Sequence, residues 1–151
     1  ATLGEELEAV DNYIYILNVR FAGDIHFNKD VDESLENVRV PSMILQPVVE
    51  NAVNHGIRDI EWEGKIHLTV TGDADYIRIS VKDNGKGMTP EQIESVLSGN
   101  KEHCNEQSDS TGIGMNNVIS RLELYYEEPG LVEINSDGEN KGTEVVIYIP
   151  V

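Results

Sequence analysis

The strongest periodic pattern in the chain covers residues 44–56, where apolar residues recur at the spacing of a helix with one broad apolar face. The apolar positions are Ile44, Leu45, Val48, Val49, Ala52 and Val53. The helical period places Glu50, Asn51 and Asn54 on the other side. Asn51 lies at the edge of the apolar stripe, and His55 lies one turn beyond Asn51. The pattern predicts a helix with a buried face and a polar face, and on this helix alone a solvated polar face is the simpler interpretation.

A heptad-like spacing predicts a second helix over residues 2–21. Its apolar residues are Leu3, Leu7, Val10, Ile14, Leu17 and Phe21. Glu5, Glu6 and Glu8 load its first turns with negative charge, which the helix dipole favours there. The pattern is shorter than three heptads, so packing on its own domain and pairing with a helix outside this chain both remain open.

Alternating apolar and polar residues predict several half-buried strands. The alternating segments are 25–31, 66–70, 77–81, 131–135 and 144–149. The short link at 72–75 predicts that the second and third segments form an antiparallel hairpin. The last two segments are predicted to pair in the same way.

Two shorter helices are interleaved with these strands. Thr89 as N-cap and Pro90 at the first helical position predict a helix over 90–97. Apolar spacing predicts another helix over 115–126. Residues 98–110 lack any periodicity, which predicts a mobile loop of the kind that often covers an active site.

Composition and charge restrict the class of protein. The chain has 151 residues, 39% of them hydrophobic, which predicts one soluble domain with a sizeable core. A net charge of -17 with only 11 basic residues argues against nucleic acid or an anionic membrane as a partner. No apolar run approaches the roughly 20 residues that span a bilayer, and the N-terminus has no signal-peptide pattern. The single Cys104 cannot form an intrachain disulfide. We therefore expect a cytoplasmic segment.

Two glycine-bearing turns add candidate chemistry, one at 83–88 and one at 111–117. The second is not a dinucleotide fingerprint, because Asn117 stands where the third glycine belongs, and no Walker lysine motif exists. Together with the polar face of 44–56, the turns can present backbone, carboxylate and amide groups around a nucleotide. Carboxylate and amide oxygens are also the ligands that Mg²⁺ prefers.

Four motifs in this order resemble the ATP-binding catalytic domain of sensor histidine kinases, in the superfamily shared with gyrase-type topoisomerases, Hsp90 and MutL. They are 45–56 (N box), 83–88 (G1 box), 112–118 (G2 box) and 142–143 (last glycine motif). The form of the N box, Val19-Arg20-Phe21 and the closing Ile-Pro are similar to the LytS and YesM group. The resemblance implies a two-layer α/β sandwich of the Bergerat type. Its mixed, mainly antiparallel sheet would be covered on one face by the helices at 42–56, 90–97 and 115–126.

The resemblance also implies a Mg-ATP site with Glu50 and Asn51 as its catalytic pair. Asn51 would coordinate the Mg²⁺ that bridges the phosphates, with Glu50 beside it. Asn54 and His55 would contact phosphate.

The base and the remaining phosphate contacts would come from the glycine motifs and Asp83. Asp83 would accept a hydrogen bond from the adenine amino group, which guanine cannot donate at that position. Thr143 would steady Asp83 or a water at the base. Two glycine pairs complete the implied site: Gly85 and Gly87 pass against the base, and Gly112 and Gly114 expose helix N-terminal amides to phosphate.

Two departures from the family pattern bear on ATP hydrolysis and on which histidine accepts the phosphoryl group. Pro47 stands where ATP-hydrolysing relatives carry a glutamate, and it also predicts a loosened turn just before Glu50. None of the chain's four histidines, His26, His55, His67 and His103, has the context of a phosphate acceptor. We therefore expect the γ-phosphoryl group to pass to a histidine outside this chain.

The implied protein is a histidine kinase of the two-component type, of which this chain would be a cytoplasmic fragment. Residues 1–22 would end the dimerisation and histidine-phosphotransfer region, and 23–151 would form the catalytic domain. The full-length protein would be a membrane-anchored homodimer with a response regulator as partner. The alternatives are a degenerate nucleotide- or partner-binding module without catalysis, and another ATPase or protein kinase of the superfamily.

Overall fold

A five-stranded sheet forms one layer of the fold. The computed structural model describes residues 1–20, 25–57, 60–98 and 110–151. The strands are β1 (Ile25–Val31), β2 (Gly64–Gly72), β3 (Tyr76–Asp83), β4 (Val132–Asn135) and β5 (Thr143–Pro150), in the order β1-β2-β3-β5-β4. β1 runs parallel to β2, and every other neighbouring pair is antiparallel. The predicted mixed, mainly antiparallel sheet and both hairpins are confirmed.

Strand β3 lies at the centre of the sheet and carries its last residue, Asp83, to the site. Asp83 stands opposite Ile66 of β2 and Thr143 of β5. Burial alternates along β2, where Ile66 and Leu68 are buried and His67 is exposed. This period of two shows that β2 has one covered face and one face that meets solvent.

Within the part of the chain that the structure describes, four α-helices form the second layer. They are α1 (Leu3–Arg20), α2 (Leu45–Asn51), α3 (Pro90–Ser98) and α4 (Ser110–Tyr126). α2 packs against α1 and α4, and α3 packs against α4 and β4. The six apolar residues predicted to face inward from 44–56 are all buried. No helix in the described ranges is long and apolar enough to cross a bilayer.

The start of α3 confirms the predicted cap. The Thr89 hydroxyl oxygen accepts from the Gln92 amide at 3.1 Å, and the Gln92 side-chain oxygen accepts from the Thr89 amide at 2.9 Å. This reciprocal pair satisfies two backbone donors that the first turn leaves free. The loop was expected over 98–110, but its end residues Ser98 and Ser110 belong to α3 and α4. The rest of it, 99–109 with His103 and Cys104, lies outside the described residues.

The prediction of a loosened turn before Glu50 was wrong in its position. The α-helix runs unbroken through Glu50 and Asn51 and then widens into a π-helical turn at Ala52–Ile57. Pro47 lies in the first turn of α2, where a backbone N–H has no intrahelical partner. It therefore removes no helical hydrogen bond, and the irregular turn follows Asn51 instead.

Helix α1 settles one of the open alternatives, because its inner face belongs to the core of this domain. Leu3, Leu7, Val10 and Ile14 are buried in the same cluster as the sheet and α2. These four heptad-like residues are thus occupied within the chain, and Leu17 packs partly buried against the same cluster. The division of the chain into 1–22 and 23–151 stays a prediction.

Candidate functional site

The end of β3 holds a buried carboxylate. Asp83 is 7% exposed, and its Oδ1 accepts a hydrogen bond from the Gly85 amide at 2.8 Å. The Thr143 amide donates to the same carboxylate. Burial raises the pKa of Asp83 to about 6, while the two backbone hydrogen bonds oppose the rise. Asp83 is therefore an immobilised acceptor that is mostly charged at neutral pH.

The backbone closes around Asp83 at three glycines. A Cβ on Gly56 would lie 2.8 Å from the Asp83 carboxyl carbon, and one on Gly85 would overlap the carbonyl oxygen of Gly56. Gly142, with φ +77°, has no room for a Cβ because the carbonyl oxygen of Asp83 is in the way. The Lys86 amide donates to the Gly56 carbonyl at 2.8 Å. The π-helical turn after α2 thus lies directly on the carboxylate.

The turn after β3 is joined to the β4–β5 connection. Gly87 has φ +76°, and a Cβ there would overlap the carbonyl oxygen of Gly138. The Ser136 hydroxyl accepts from the Met88 amide at 3.0 Å and donates to the Gly142 carbonyl at 2.6 Å. Gly85 and Gly87 are therefore needed for close packing of main chain, a requirement that holds without any bound base.

The last residue of α2 carries a polar atom without a partner. The Asn51 Oδ1 is buried and accepts no hydrogen bond from the described residues. Buried polar atoms are nearly always paired, so an orphaned amide oxygen needs an explanation such as an absent ligand. Glu50, beside it, is half-buried and accepts a hydrogen bond from the Gln46 side chain at 3.3 Å. An amide oxygen and a carboxylate are suitable ligands for Mg²⁺.

A metal at this position would need ligands from elsewhere. The described residues contain no group of three or more His, Cys, Asp or Glu side chains that could hold a metal ion. Mg²⁺ is usually bound by one or two protein groups together with substrate phosphates and water. The donor set around Asn51 fits that arrangement and does not fit an all-protein metal cage.

The other residues predicted for the site fall into two places. Asn54 and His55 lie half-buried in the π-helical turn, between Asn51 and Gly56. Gly112 and Gly114 lie in the first turns of α4, which begins five residues before the predicted 115–126 helix. The first N–H groups of a helix have no intrahelical partner and can bind anions. Gly112 is among these positions, whereas Gly114 is the fifth residue and lies further into the helix.

Sequence reasoning missed Gly56 and Asn84 as parts of the site. The Asn84 side chain accepts from the Lys65 amide at 2.8 Å and donates to the Glu63 carbonyl at 2.8 Å. Its own carbonyl oxygen accepts from the indole of Trp62 at 2.7 Å. Asn84 therefore anchors the turn that follows Asp83. Two sequence signals could have found these residues: Gly56 is the last residue of the N box, and Asn84 is an asparagine in a turn, where its side chain often bonds to nearby backbone.

Comparison with known protein families and sequences finds relatives over nearly the whole chain. The sequence profile of the histidine kinase-, DNA gyrase B-, and HSP90-like ATPase family matches residues 39–151. Sensor histidine kinase YpdA of Escherichia coli (strain K12) is 34% identical to this chain over 146 residues, covering 97% of it. Sensor histidine kinase YesM of Bacillus subtilis (strain 168) is 31% identical over 149 residues, covering 99%. In both comparisons the chain spans 24% of the relative's length, about a quarter.

Solved structures give the same fold at lower identity. The catalytic domain of histidine kinase ThkA is similar with a TM-score of 0.71 and 20% identity, covering 99% of this chain and 94% of that one. The mycobacterial sensor histidine kinase MprB has a TM-score of 0.66 and 19% identity, covering 96% and 93%. The predicted α/β architecture is confirmed by these likenesses. Because the family profile spans most of the chain and its first relatives are sensor histidine kinases, this chain belongs to the histidine kinase-, DNA gyrase B-, and HSP90-like ATPase family.

Proposed function

We propose that this chain binds Mg-ATP between α2, the turn after β3 and the start of α4, and donates the γ-phosphoryl group to a histidine outside residues 1–151. The observation that supports this most strongly is the Asn51 Oδ1, which is buried without a hydrogen-bond partner. Five residues later, in the π-helical turn, Gly56 lies against the buried Asp83 carboxylate. One end of the site presents an unpaired amide oxygen, and the other presents a fixed carboxylate acceptor. A nucleotide with its metal would complement both ends.

At the phosphate end, Asn51 would hold the Mg²⁺, with Glu50 beside it. When bound, the metal neutralises charge on the phosphates, which phosphoryl transfer requires in addition to accurate positioning. Asn54 and His55 would contact phosphate from the π-helical turn. Gly112 would offer helix N-terminal amide groups, and Gly114 would allow close approach of the phosphates to the backbone.

At the base end, Asp83 would accept the hydrogen bond from the adenine amino group. Guanine presents an acceptor oxygen at the equivalent position, and two acceptors repel each other. Thr143 and Gly85 would keep the carboxylate aimed, because their amides already donate to it. Gly87 would keep the neighbouring main chain close to the base without side-chain obstruction.

The acceptor side of the reaction is proposed to come from the rest of a longer protein. The relatives are about four times the length of this chain, which leaves room for an acceptor histidine, a membrane anchor and a dimerisation region. We assign residues 1–22 to the end of that region and 23–151 to the catalytic domain. A response regulator would receive the phosphoryl group from the histidine. Pro47 in place of a water-activating carboxylate favours such transfer over ATP hydrolysis.

Calorimetric titration tests the proposed site. We expect the unmutated chain to bind ATP more tightly than GTP, and more tightly with Mg²⁺ than with EDTA. Asn51→Ala should remove most of the magnesium dependence while leaving the fold intact. Asn12→Ala, an exposed asparagine on α1, is the matched control and should bind as the unmutated chain does.

Three results would contradict the proposal. Equal affinity of Asn51→Ala and the unmutated chain, both with and without magnesium, would remove Asn51 from the metal site. Equal binding of ATP and GTP would refute the role of Asp83 in selecting adenine. A complete absence of binding would favour a degenerate module that recognises only a protein partner.

A further inference from the structure

Helix α2 begins without a cap of its own. Its N-cap residue is Ile44, whose side chain makes no capping hydrogen bond. Isoleucine is among the poorest N-cap residues, because it has no oxygen to accept from the free backbone amides of the first turn. The helix that carries Asn51 therefore depends on another element to satisfy its start.

Glu6 of α1 supplies that cap from a position 38 residues earlier than Ile44 in the chain. Its Oε1 accepts from the Ile44 amide at 2.8 Å and from the Leu45 amide at 3.2 Å. Its Oε2 accepts from the Met43 amide at 3.1 Å. The Glu6 residue is 7% exposed, so these bonds are largely shielded from water. A carboxylate at this point also complements the positive end of the α2 dipole.

The same segment is fixed from its other side by α4. The Arg121 guanidinium donates to the carbonyl oxygens of Ser42 and Met43, both at 3.1 Å. Met43 has φ +60°, a conformation that a residue with a side chain adopts only when its surroundings hold it there. The residues that lead into α2 are thus held by hydrogen bonds on both sides, from the Glu6 carboxylate of α1 and the Arg121 guanidinium of α4.

Helix α1 is also tied to the segment 36–40 that precedes α2. The Leu3 amide donates to the Val38 carbonyl and the Gly4 amide to the Glu36 carbonyl, both at 2.8 Å. α2 itself has only seven residues, from Leu45 to Asn51. A displacement of its first turn therefore reaches Asn51 through a short, rigid element.

We propose that Glu6 is a positioning residue for the metal and phosphate end of the nucleotide site. By capping α2 it fixes where the Asn51 amide stands, so the position of α1 sets the strength of magnesium-dependent nucleotide binding. This inference rests on the proposed Mg-ATP function. Glu6 lies outside residues 39–151, which the family profile matches, so it is not one of the residues that define the family.

The test compares Glu6→Gln with Glu8→Gln. Glutamine keeps the shape of Glu6 and one acceptor oxygen, but it removes the charge and turns an amide donor toward the Met43 amide. Glu8 is an exposed carboxylate on the same helix, so its variant makes the same change in net charge without touching α2. The measured quantity is the ratio of the ATP dissociation constants in EDTA and in Mg²⁺.

We expect Glu6→Gln to lower that ratio about tenfold, the effect of losing about one helix-cap interaction. Its affinity for ATP in EDTA should stay close to that of the unmutated chain, because Asp83 is untouched. Glu8→Gln should leave both constants unchanged. A purely structural role for Glu6 would lower the melting temperature without changing the ratio, and an unchanged ratio would overturn the inference.

Amide hydrogen exchange gives a second measurement that does not depend on nucleotide. In the unliganded chain, Glu6→Gln should speed exchange of the amides of residues 48–51 relative to Glu8→Gln. Unchanged exchange would show that Glu6 does not hold α2 and would overturn the inference even if ATP affinity fell. Faster exchange in a chain that shows no magnesium-dependent ATP binding would instead locate the failure in the proposed function, and the role of Glu6 in metal binding would fall with it.

Discussion

Replacing Asp83 by Asn should make the unliganded domain more stable and its ATP binding weaker. The Asp83 carboxylate is buried between the π-helical turn and β5, and burial of the charge raises its pKa to about 6. Asparagine has nearly the same shape and can still accept from the Gly85 amide. It removes the buried charge, but its NH₂ group would meet the adenine amino group donor to donor.

The structure sets the size of both effects. A rise in the pKa of Asp83 from its ordinary 3.8 to about 6 corresponds to about 3 kcal/mol at neutral pH. This is an upper limit for the gain in unfolding free energy, and we expect about 1 to 3 kcal/mol. Loss of a charged acceptor should weaken ATP binding by about 1 to 3 kcal/mol.

The sign of the pH dependence follows from the same shift. Because the folded state binds the Asp83 proton more tightly than the unfolded state, this group lowers stability as pH rises from about 4 to about 6. Above pH 6 its destabilising effect is complete. The advantage of Asp83→Asn should therefore be largest above pH 6 and should shrink as pH falls toward 4.

Urea unfolding without nucleotide, at pH 4.5 (near the low end of that window) and at pH 7.5, measures the stability effect. Calorimetry at pH 7.5 measures the loss of ATP affinity. Asp75→Asn, at an exposed turn aspartate, is the matched control and should change neither quantity. An Asp83→Asn domain that is less stable than the unmutated one at pH 7.5, with the same difference at both pH values, would refute the reasoning from burial.

Two further substitutions test the packing around the site. Gly56→Ala should lower the unfolding free energy by about 1 to 3 kcal/mol and weaken ATP binding, because the new Cβ would lie 2.8 Å from the Asp83 carboxylate. Gly72→Ala is the control, because its Cβ would meet only the flexible Leu35 side chain. Equal effects of the two substitutions would show that the Asp83 side chain moves aside at little cost. Thr89→Ala should cost about 1 kcal/mol in urea unfolding through loss of the α3 cap, whereas Thr89→Ser should retain most of it, and equal loss in both would contradict the capping role.

The periodic parts of the fold could be predicted from sequence because their signals are local. The apolar face of 44–56 gave the buried side of α2, and alternation gave the strands and the one covered face of β2. The Thr89 cap was also predictable, since its partner Gln92 is three residues away. In each case the pattern that predicts the element lies within one helix, one strand or one turn.

The contacts that organise the site are long-range and were beyond local reasoning. Glu6 was assigned to the first turn of its own helix, but its carboxylate caps a helix 38 residues away. The widened turn after Asn51 places Gly56 against Asp83, a contact that no periodicity in either segment reveals. Pro47 misled because its effect depends on its position in the helix, and the helix start was not fixed by a capping residue.

Phosphorylation with radiolabelled ATP tests the central claim most directly. The chain alone should bind Mg-ATP and form no stable phosphohistidine, because none of its four histidines has an acceptor context. Adding the histidine-bearing segment of a full-length relative should give slow, acid-labile labelling of that segment, and Asn51→Ala should abolish the labelling. Acid-labile label on this chain by itself would show that one of its own histidines is an acceptor. Absence of label on the added segment, while ATP still binds, would contradict phosphoryl donation and favour a binding module without catalysis.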